Sequence, residues 1–244
     1  MSPVDFGYRK VSPTEKTQLV EGVFASVAVR YDLMNDLMSF GAHRLFKRMT
    51  IEMSNVREGH RVLDLAGGTG DLAALFAPIV GPTGTVVLTD INSAMLSVGR
   101  DRLLNKGLAQ IQVCQANGEQ LPFPDAAFDC ISIGFGLRNF TDKTRALREL
   151  NRLLKPAGIL LILEFSKPEN PLVEAGYRAF QALWPAMGKL LVNDSASYQY
   201  LVESIRVHPG QEALKLMLQD AGFSDVEYHN LISGVAAIHR GVKP

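Results

Sequence analysis

Short apolar segments alternate with helix-compatible segments through the middle of the chain. Five segments have the length and apolar content of strands: 61–66, 85–90, 111–116, 128–133 and 158–164. Three segments between them have helical composition: 71–80, 93 to about 106 with Ser93 as its N-cap, and about 142–154. Runs that are apolar throughout, such as 159–163, are typical of strands covered on both faces. The alternation predicts an α/β fold built from βαβ units around a parallel sheet.

The two ends of the chain depart from this alternation. Segments 226–232 and 235–239 flank Ser233-Gly234, which predicts a tight antiparallel hairpin at the end of the sheet. Residues 1–58 form a mainly helical segment, and residues 171–206 predict one or two helices inserted after the fifth strand. We expect both helical segments to cap a site on one domain that spans all 244 residues.

Charge and cysteine content narrow the class of protein. Lys and Arg together number 25, as do Asp and Glu, so no net positive field favours nucleic acid as a partner. Cys114 and Cys130 lie in predicted strands, which indicates buried thiols in a reducing compartment, the cytoplasm. No apolar run approaches the ~20 residues that cross a bilayer. The five histidines lack metal-ligand spacing, so we expect no metal.

A glycine-rich turn follows the first predicted strand. Gly67, Gly68 and Gly70 stand where open parallel sheets bind ligands, and glycine lets a ligand approach the backbone. Asp90 ends the second strand 20 residues after Gly70, where its carboxylate can accept both hydroxyls of a ribose. Asp64 lies three residues before the glycines and can pair with the ammonium group of an amino acid. Together they favour a nucleoside cofactor that carries methionine, S-adenosylmethionine.

Two other functions remain alternatives at this point. Segment 68–73 also satisfies the G-x-G-x-x-A pattern of a dinucleotide site, so an NAD-dependent oxidoreductase is the main rival. Asp64 argues against it, because a carboxylate there would lie close to a pyrophosphate. Asn117 and Gly118, after the third strand, begin a loop that can offer amide groups to an adenine edge. A non-enzymatic scaffold that binds the cofactor and organises other proteins is the second alternative.

Several longer segments resemble the ubiquinone/menaquinone biosynthesis C-methyltransferases over about residues 18–243. The shared segments are 31–41, 62–71, 121–125, 136–139, 163–167 and 200–206. The resemblance implies a Rossmann-like methyltransferase fold with a mostly parallel seven-stranded sheet, an antiparallel C-terminal hairpin and helical cap insertions. It also implies cofactor contacts at Thr69, Asp90, Asn117 and Gly118. Gly134 stands where the family often has serine, so only a backbone contact would remain there.

The resemblance further implies methylation of a ring carbon in 2-polyprenyl-6-methoxy-1,4-benzoquinol or demethylmenaquinol. A quinol carbon becomes more nucleophilic when its hydroxyl loses a proton, so the site needs a group that polarises or accepts that proton. Arg138 and Asn139 directly follow the fourth strand, where a guanidinium would stabilise a phenolate and an amide would orient the hydroxyl or a water. Tyr31 precedes the first strand in a segment expected to fold over the site. These three residues are the catalytic candidates, while the base itself stays open, with His43 as one option.

A polyprenyl tail needs apolar cover, and segment 172–192 supplies aromatic and aliphatic side chains. Helical core packing explains that composition, and so does a lid or a membrane-facing surface. We expect a lipophilic quinol substrate and a transient contact with the inner face of the membrane. The sequence leaves open whether benzoquinols, naphthoquinols or both are accepted, which tail length fits, and whether the chain forms a homodimer or joins a biosynthetic complex.

Overall fold

The computed structural model describes residues 3–28, 31–192 and 194–244; side chains at 27, 31–33, 37, 191 and 192 lie outside that description. The helices are α1 (Pro13–Val27), α2 (Tyr31–Ser39), α3 (Ala42–Glu52), α4 (Asp71–Val80), α5 (Ser93–Asn105), α6 (Lys143–Leu153), α7 (Pro171–Val192), α8 (Ser195–Val207) and α9 (Gln211–Asp220). The strands are β1 (Val4–Phe6), β2 (Arg9–Val11), β3 (Arg61–Leu65), β4 (Thr85–Asp90), β5 (Gln112–Gln115), β6 (Phe128–Gly134), β7 (Leu154–Phe165), β8 (Ser224–Leu231) and β9 (Ala236–Val242). Two 3₁₀ turns lie at Leu137–Asn139 and Ile232–Gly234.

Seven strands form one twisted sheet in the order β5-β4-β3-β6-β7-β9-β8. The pairs from β5 to β7 are parallel, whereas β9 runs antiparallel to both β7 and β8. This confirms the predicted mostly parallel seven-stranded sheet with an antiparallel C-terminal hairpin. The strand order reverses beside β3, since β4 lies on one side of it and β6 on the other. Ligands of open α/β sheets bind at such a reversal, outside the carboxyl ends of the strands.

Both faces of the sheet are covered by helices. Along β7, Leu161 and Leu163 point into one apolar cluster that contains Phe76 of α4. The alternate residues Leu160 and Ile162 point into a second cluster that contains other helical residues. Each of these four strand side chains is fully buried, and burying one such side chain stabilises the fold by about 1.5–3 kcal/mol. The double-sided core holds the strand ends in a fixed arrangement.

Three local predictions differ from the structure, and one pair of strands was not predicted. The N-cap of α5 is Asn92, whose side chain accepts the Met95 N–H at 3.0 Å, and Ser93 is the first helical residue. Four residues, 232–235, connect β8 to β9, and not two; the first three form the 3₁₀ turn and all have positive φ. Cys114 is only half-buried, because β5 is an edge strand; both cysteines are free thiols. The antiparallel pair β1 and β2 was not predicted.

Candidate functional site

A cavity with about 810 Å³ of empty space, counting its open mouth, lies at the carboxyl ends of β3, β4, β5 and β6. We call it the central cavity. Its floor is formed by the turns that follow these strands, and α1 covers it. The lining residues are Thr17, Val20, Glu21, Phe24, Leu65, Ala66, Gly68, Asp90, Ile91, Asn92, Met95, Ala116, Asn117, Gly118, Glu119, Phe135, Gly136, Asn139, Phe140 and Thr141. The α1 side chains among them were not predicted, because nothing local in α1 marks them as site residues.

Asp90 is the acidic residue at the end of β4 in this cavity. Its Oδ2 accepts the Gly68 N–H at 3.0 Å, and its Oδ1 accepts the Asn92 N–H at 2.9 Å. Burial raises the pKa of this carboxyl to about 6, although the backbone hydrogen bonds favour the charged form. Asp90 is therefore ionised above neutral pH and keeps further lone pairs for hydroxyl donors.

Two glycines let the cavity reach the backbone. Gly68 has φ +54°, a conformation that suits glycine, and a Cβ there would lie 2.9 Å from Met95 Cε. A Cβ on Gly118 would lie 2.7 Å from a ring carbon of Phe140. Larger residues at these positions would narrow the floor of the central cavity.

A small cavity adjoins the glycine turn on the side of β3 and contains Asp64. The Asp64 side chain is fully buried; Oδ2 accepts the Ala73 N–H at 2.9 Å, and Oδ1 accepts the Ser132 hydroxyl at 3.1 Å. Burial raises the pKa of this carboxyl to about 7, a rise that the hydrogen bonds only partly offset. A neighbouring cation would favour the charged form. Gly67 and Gly134 line the same small cavity.

An ion-pair cluster borders the small cavity and was missed by the sequence analysis. Asp71 pairs with Lys47 at 2.5 Å and with Arg102 at 2.8 Å, and Arg102 also donates to the Thr69 hydroxyl at 3.3 Å. The two cations lower the pKa of Asp71 against the effect of its burial. Because the partners come from α3, α4 and α5, no local pattern could have identified the cluster.

The chain matches the model of the ubiE/COQ5 methyltransferase family over residues 12–243. The chain belongs to this family. A relative from Pseudomonas putida (strain W619), called ubiquinone/menaquinone biosynthesis C-methyltransferase UbiE, is 61% identical over 98% of this chain and 94% of its own length. The relative of the same name from Pseudomonas entomophila (strain L48) is 60% identical over the same shares.

Solved structures share the fold at low sequence identity. A SAM-dependent methyltransferase from Aquifex aeolicus has a TM-score of 0.61 and 18% identity, covering 96% of this chain and all of the other. The [4+2]-cyclase SpnF has a TM-score of 0.65 and 19% identity, covering 100% and 99%. Because one of these neighbours is called a cyclase, the fold alone does not give the reaction. Family membership does: the chain is an S-adenosylmethionine-dependent methyltransferase, and the alternative of an NAD-dependent oxidoreductase is dropped.

The structure distributes the predicted cofactor residues between the two adjacent cavities of this methyltransferase. Those lining the central cavity are Gly68, Asp90, Asn117 and Gly118. Those lining the small cavity are Asp64, Gly67, Thr69 and Gly134. Gly70 lines neither; it precedes α4 at φ +80°, and a Cβ there would lie 3.1 Å from Leu103.

The structure describes the side chains of two of the three catalytic candidates, and of these two Asn139 lines the central cavity. Asn139 Oδ1 accepts the Tyr200 hydroxyl at 2.9 Å. Tyr31 begins α2, but its side chain lies outside the described part of the structure. His43, the option for a base, is bound through Nε2 to Asp36 at 2.9 Å, and burial lowers its pKa.

Arg138 differs most from expectation. Its guanidinium is buried and forms an ion pair with Glu164 of β7 at 3.0 Å. The guanidinium also donates to the Phe135 carbonyl, and the backbone N–H of Arg138 donates to Glu164 Oε2 at 3.2 Å. The sequence predicted a guanidinium facing the acceptor side of the cleft; instead, Arg138 does not line the central cavity and its charge is balanced by Glu164. The guanidinium lies there because its ion-pair partner, Glu164, is on β7, 26 residues later in the sequence.

Proposed function

We propose that this chain catalyses S-adenosylmethionine-dependent C-methylation of a polyprenylated quinol ring, that of 2-polyprenyl-6-methoxy-1,4-benzoquinol, of demethylmenaquinol or of both, in ubiquinone/menaquinone biosynthesis. The observation that carries the proposal is the pair of adjoining sites at the strand ends. Asp90 lies in the central cavity and Asp64 in the small cavity beside it. A carboxylate for ribose hydroxyls and a carboxylate for an ammonium group therefore flank the same glycine turn. The names of the closely similar relatives supply the substrate class.

The described residues fit this cofactor. Asp90 would accept the ribose hydroxyls. The Asp64 carboxylate shares the small cavity with Lys47 but forms no ion pair among the described residues, and it would pair with the ammonium group. Gly118 leaves room for the adenine ring of the cofactor at the cavity floor, beside the Phe140 ring. When bound, S-adenosylmethionine supplies an electrophilic methyl group on its sulfonium sulfur. The chain's task is to hold donor and acceptor in line.

An aromatic cluster beside the central cavity supports a site for the quinol ring. Phe135, which also lines the cavity, packs on Phe165 at 4.7 Å, and Trp184 of α7 meets Phe165 edge-on at 6.4 Å. Within this region Trp184 Nε1 is buried and has no hydrogen-bond partner among the described residues. Buried donors normally have partners. A quinol oxygen would satisfy this donor and orient the ring.

Arg138 acts in this proposal as a positioning residue. By tying the Phe135 carbonyl to Glu164, it fixes the turn that carries Asn139 into the central cavity. Asn139 then orients the quinol hydroxyl or a water for loss of its proton. Tyr31 stays a candidate for the same hydrogen-bond network.

We further propose that the outer face of α7 contacts the membrane that holds the substrate. Leu172, Leu183 and Leu190 on this helix have exposures of 83%, 57% and 84%. Phe40, 83% exposed, stacks on Phe180 of α7 at 4.8 Å and extends the apolar surface. None of the described helices is long and apolar enough to cross a membrane. The arrangement supports a transient surface contact.

Sedimentation with phospholipid vesicles tests this contact. Leu183→Ser with Leu190→Ser should reduce the bound fraction, because both side chains are exposed on α7. The matched control is Leu216→Ser on α9, which is 52% exposed and lies on another helix. Equal binding by the double variant and the control would contradict the proposal.

Methyl transfer itself is tested with labelled S-adenosylmethionine and reduced quinone precursors of both classes, followed by identification of the product. We expect label on a ring carbon of at least one quinol. Cofactor binding with no transfer to either quinol would instead favour the scaffold alternative.

A further inference from the structure

A third cavity, with about 770 Å³ of empty space counting its open mouth, lies beside the central cavity and holds neither the cofactor nor the quinol in the proposed reaction. We call it the basic cavity. Segment 136–141 forms the wall between the two: Gly136 and Asn139 line the central cavity, Arg138 lines the basic cavity, and Thr141 borders both. The other walls come from the β1–β2 hairpin, the start of α1, α6 and the end of α8.

Two lysines converge in this cavity. Lys16 Nζ and Lys143 Nζ donate to the same acceptor, the Phe140 carbonyl, at 2.9 and 3.3 Å. Lys16 is only 3% exposed, and neither lysine forms an ion pair with a carboxylate among the described residues. Burial and the nearby Lys143 lower the pKa of Lys16 to about 8, and burial lowers that of Lys143. Two ammonium groups therefore repel each other in a largely desolvated place.

The carboxylates around these lysines are committed elsewhere. Glu164 pairs with Arg138 at 3.0 Å. Asp5 lines the basic cavity itself but pairs with Lys10 at 2.7 Å. Glu119 accepts the N–H groups of Thr141 and Asp142 at 2.9 Å, and Asp142 caps α6 through the Arg145 N–H at 2.9 Å. The Lys16 and Lys143 charges are thus only partly balanced at a distance. An anion inside the cavity would relieve their repulsion.

A buried histidine supplies an independent indication. His208 lines the basic cavity, is 3% exposed, and neither of its ring nitrogens has a hydrogen-bond partner among the described residues. Burial, followed by the charges of Lys143 and Arg138, holds the pKa of His208 well below its usual range. A neutral imidazole has one N–H to donate, and a buried donor normally has a partner.

We propose that the basic cavity binds a phosphate-class oxyanion, at a site distinct from the cofactor and quinol sites and independent of the proposed reaction. A tetrahedral dianion can accept from Lys16, Lys143 and His208 at once and balance both lysine charges. The space is many times what one buried water needs, which leaves room for phosphate, diphosphate or a phosphoryl group on a larger molecule.

Calorimetric titration of the intact protein with inorganic phosphate and with diphosphate, at ionic strength held constant with chloride, tests the site. We expect saturable binding that Lys143→Gln weakens about tenfold or more, since one charge-assisted contact is lost. Lys143→Arg should retain binding. Lys215→Gln on α9 is the matched control and should behave as the parent. His208→Phe is a second variant that removes the imidazole N–H and should also weaken binding.

The source of the phosphoryl group is decided by a parallel arm with vesicles that contain phosphatidylglycerol. Vesicle binding that Lys143→Gln abolishes, without binding of free phosphate or diphosphate, identifies a lipid headgroup. Binding of the free anions identifies a soluble ligand. Absence of saturable binding in every arm, or equal affinities for Lys143→Gln and Lys215→Gln, would overturn the proposal.

Discussion

Replacing Asp90 with asparagine tests the cofactor site most directly. The carboxylate receives the Gly68 and Asn92 N–H groups at 3.0 and 2.9 Å, and in the proposed complex it also accepts ribose hydroxyls. Asparagine keeps one oxygen for Asn92 but turns an NH₂ group toward Gly68 and loses the charge. Hydrogen bonds to charged groups contribute about 1.5–3 kcal/mol each. We expect S-adenosylmethionine affinity to fall by about 2 kcal/mol or more, which is about 30-fold in Kd.

Adenosine separates this effect from the amino-acid end of the site. Calorimetry at pH 8, where both Asp64 and Asp90 are ionised, should show Asp90→Asn weakening both S-adenosylmethionine and adenosine. The matched control Asp64→Asn should weaken S-adenosylmethionine but leave adenosine unchanged. A folded Asp90→Asn protein that binds both ligands with parental affinity would refute this assignment. Tighter binding of NAD than of S-adenosylmethionine by the parent would refute the cofactor itself.

The same residue sets a pH dependence. With a pKa of about 6 in the free protein, Asp90 becomes protonated as the pH falls below that value, and one acceptor for the ribose is lost. Adenosine affinity should therefore be level above about pH 7 and decline below about pH 6. In Asp90→Asn this decline should disappear; its persistence would assign the titration to another group.

Three further outcomes are expected. The pKa of Asp64 is raised from 3.8 to about 7, so the stability of the unliganded fold falls as the pH rises from 3.8 to about 7. Asp64→Asn should therefore raise Tm at pH 8, and an unchanged Tm would contradict this. Arg138→Ala should cost about 3–5 kcal/mol in urea unfolding by leaving Glu164 buried and unpaired, and adding Glu164→Gln should recover part of it; additive losses would refute the pairing argument. Rigorously oxidised quinone should not be methylated, because its ring is electron-poor; equal rates with quinol would exclude the proposed mechanism.

The strands of the sheet and the helices that cover it were predictable, because the spacing of apolar residues within each short segment indicates its secondary structure. Segment 85–90 coincides with β4, and segment 71–80 coincides with α4. The β1 and β2 strands were not predicted, because each has only three residues, too few to show an alternation of apolar and polar side chains. Asn92 and Ser93 are both good caps, and the choice between them depends on where the chain leaves β4, which no local propensity decides.

The residues of the candidate site that follow strand ends were predictable, whereas the ion pairs between its helices were not. Gly68, Asp90, Asn117 and Gly118 follow strand ends, and parallel strands bring their carboxyl ends to one edge, so these residues meet in one cavity. Lys47 and Arg102 come from helices on either side of Asp71, and their pairing depends on helix packing. Residue type and position along a strand cannot reveal such tertiary partners.

Arg138 shows why the partner matters as much as the residue. Both Arg138 and Asn139 belong to one 3₁₀ turn, yet Asn139 faces the central cavity while Arg138 is held by Glu164. Phe135, just before this turn, has φ +58°, a conformation that costs a non-glycine residue about 1–2 kcal/mol, and the Arg138 guanidinium binds its carbonyl. In the proposed mechanism, the ion pair therefore stabilises this turn. Any effect of Arg138 on the rate would then arise through the placement of Asn139, with no need for a free cation at the quinol oxygen.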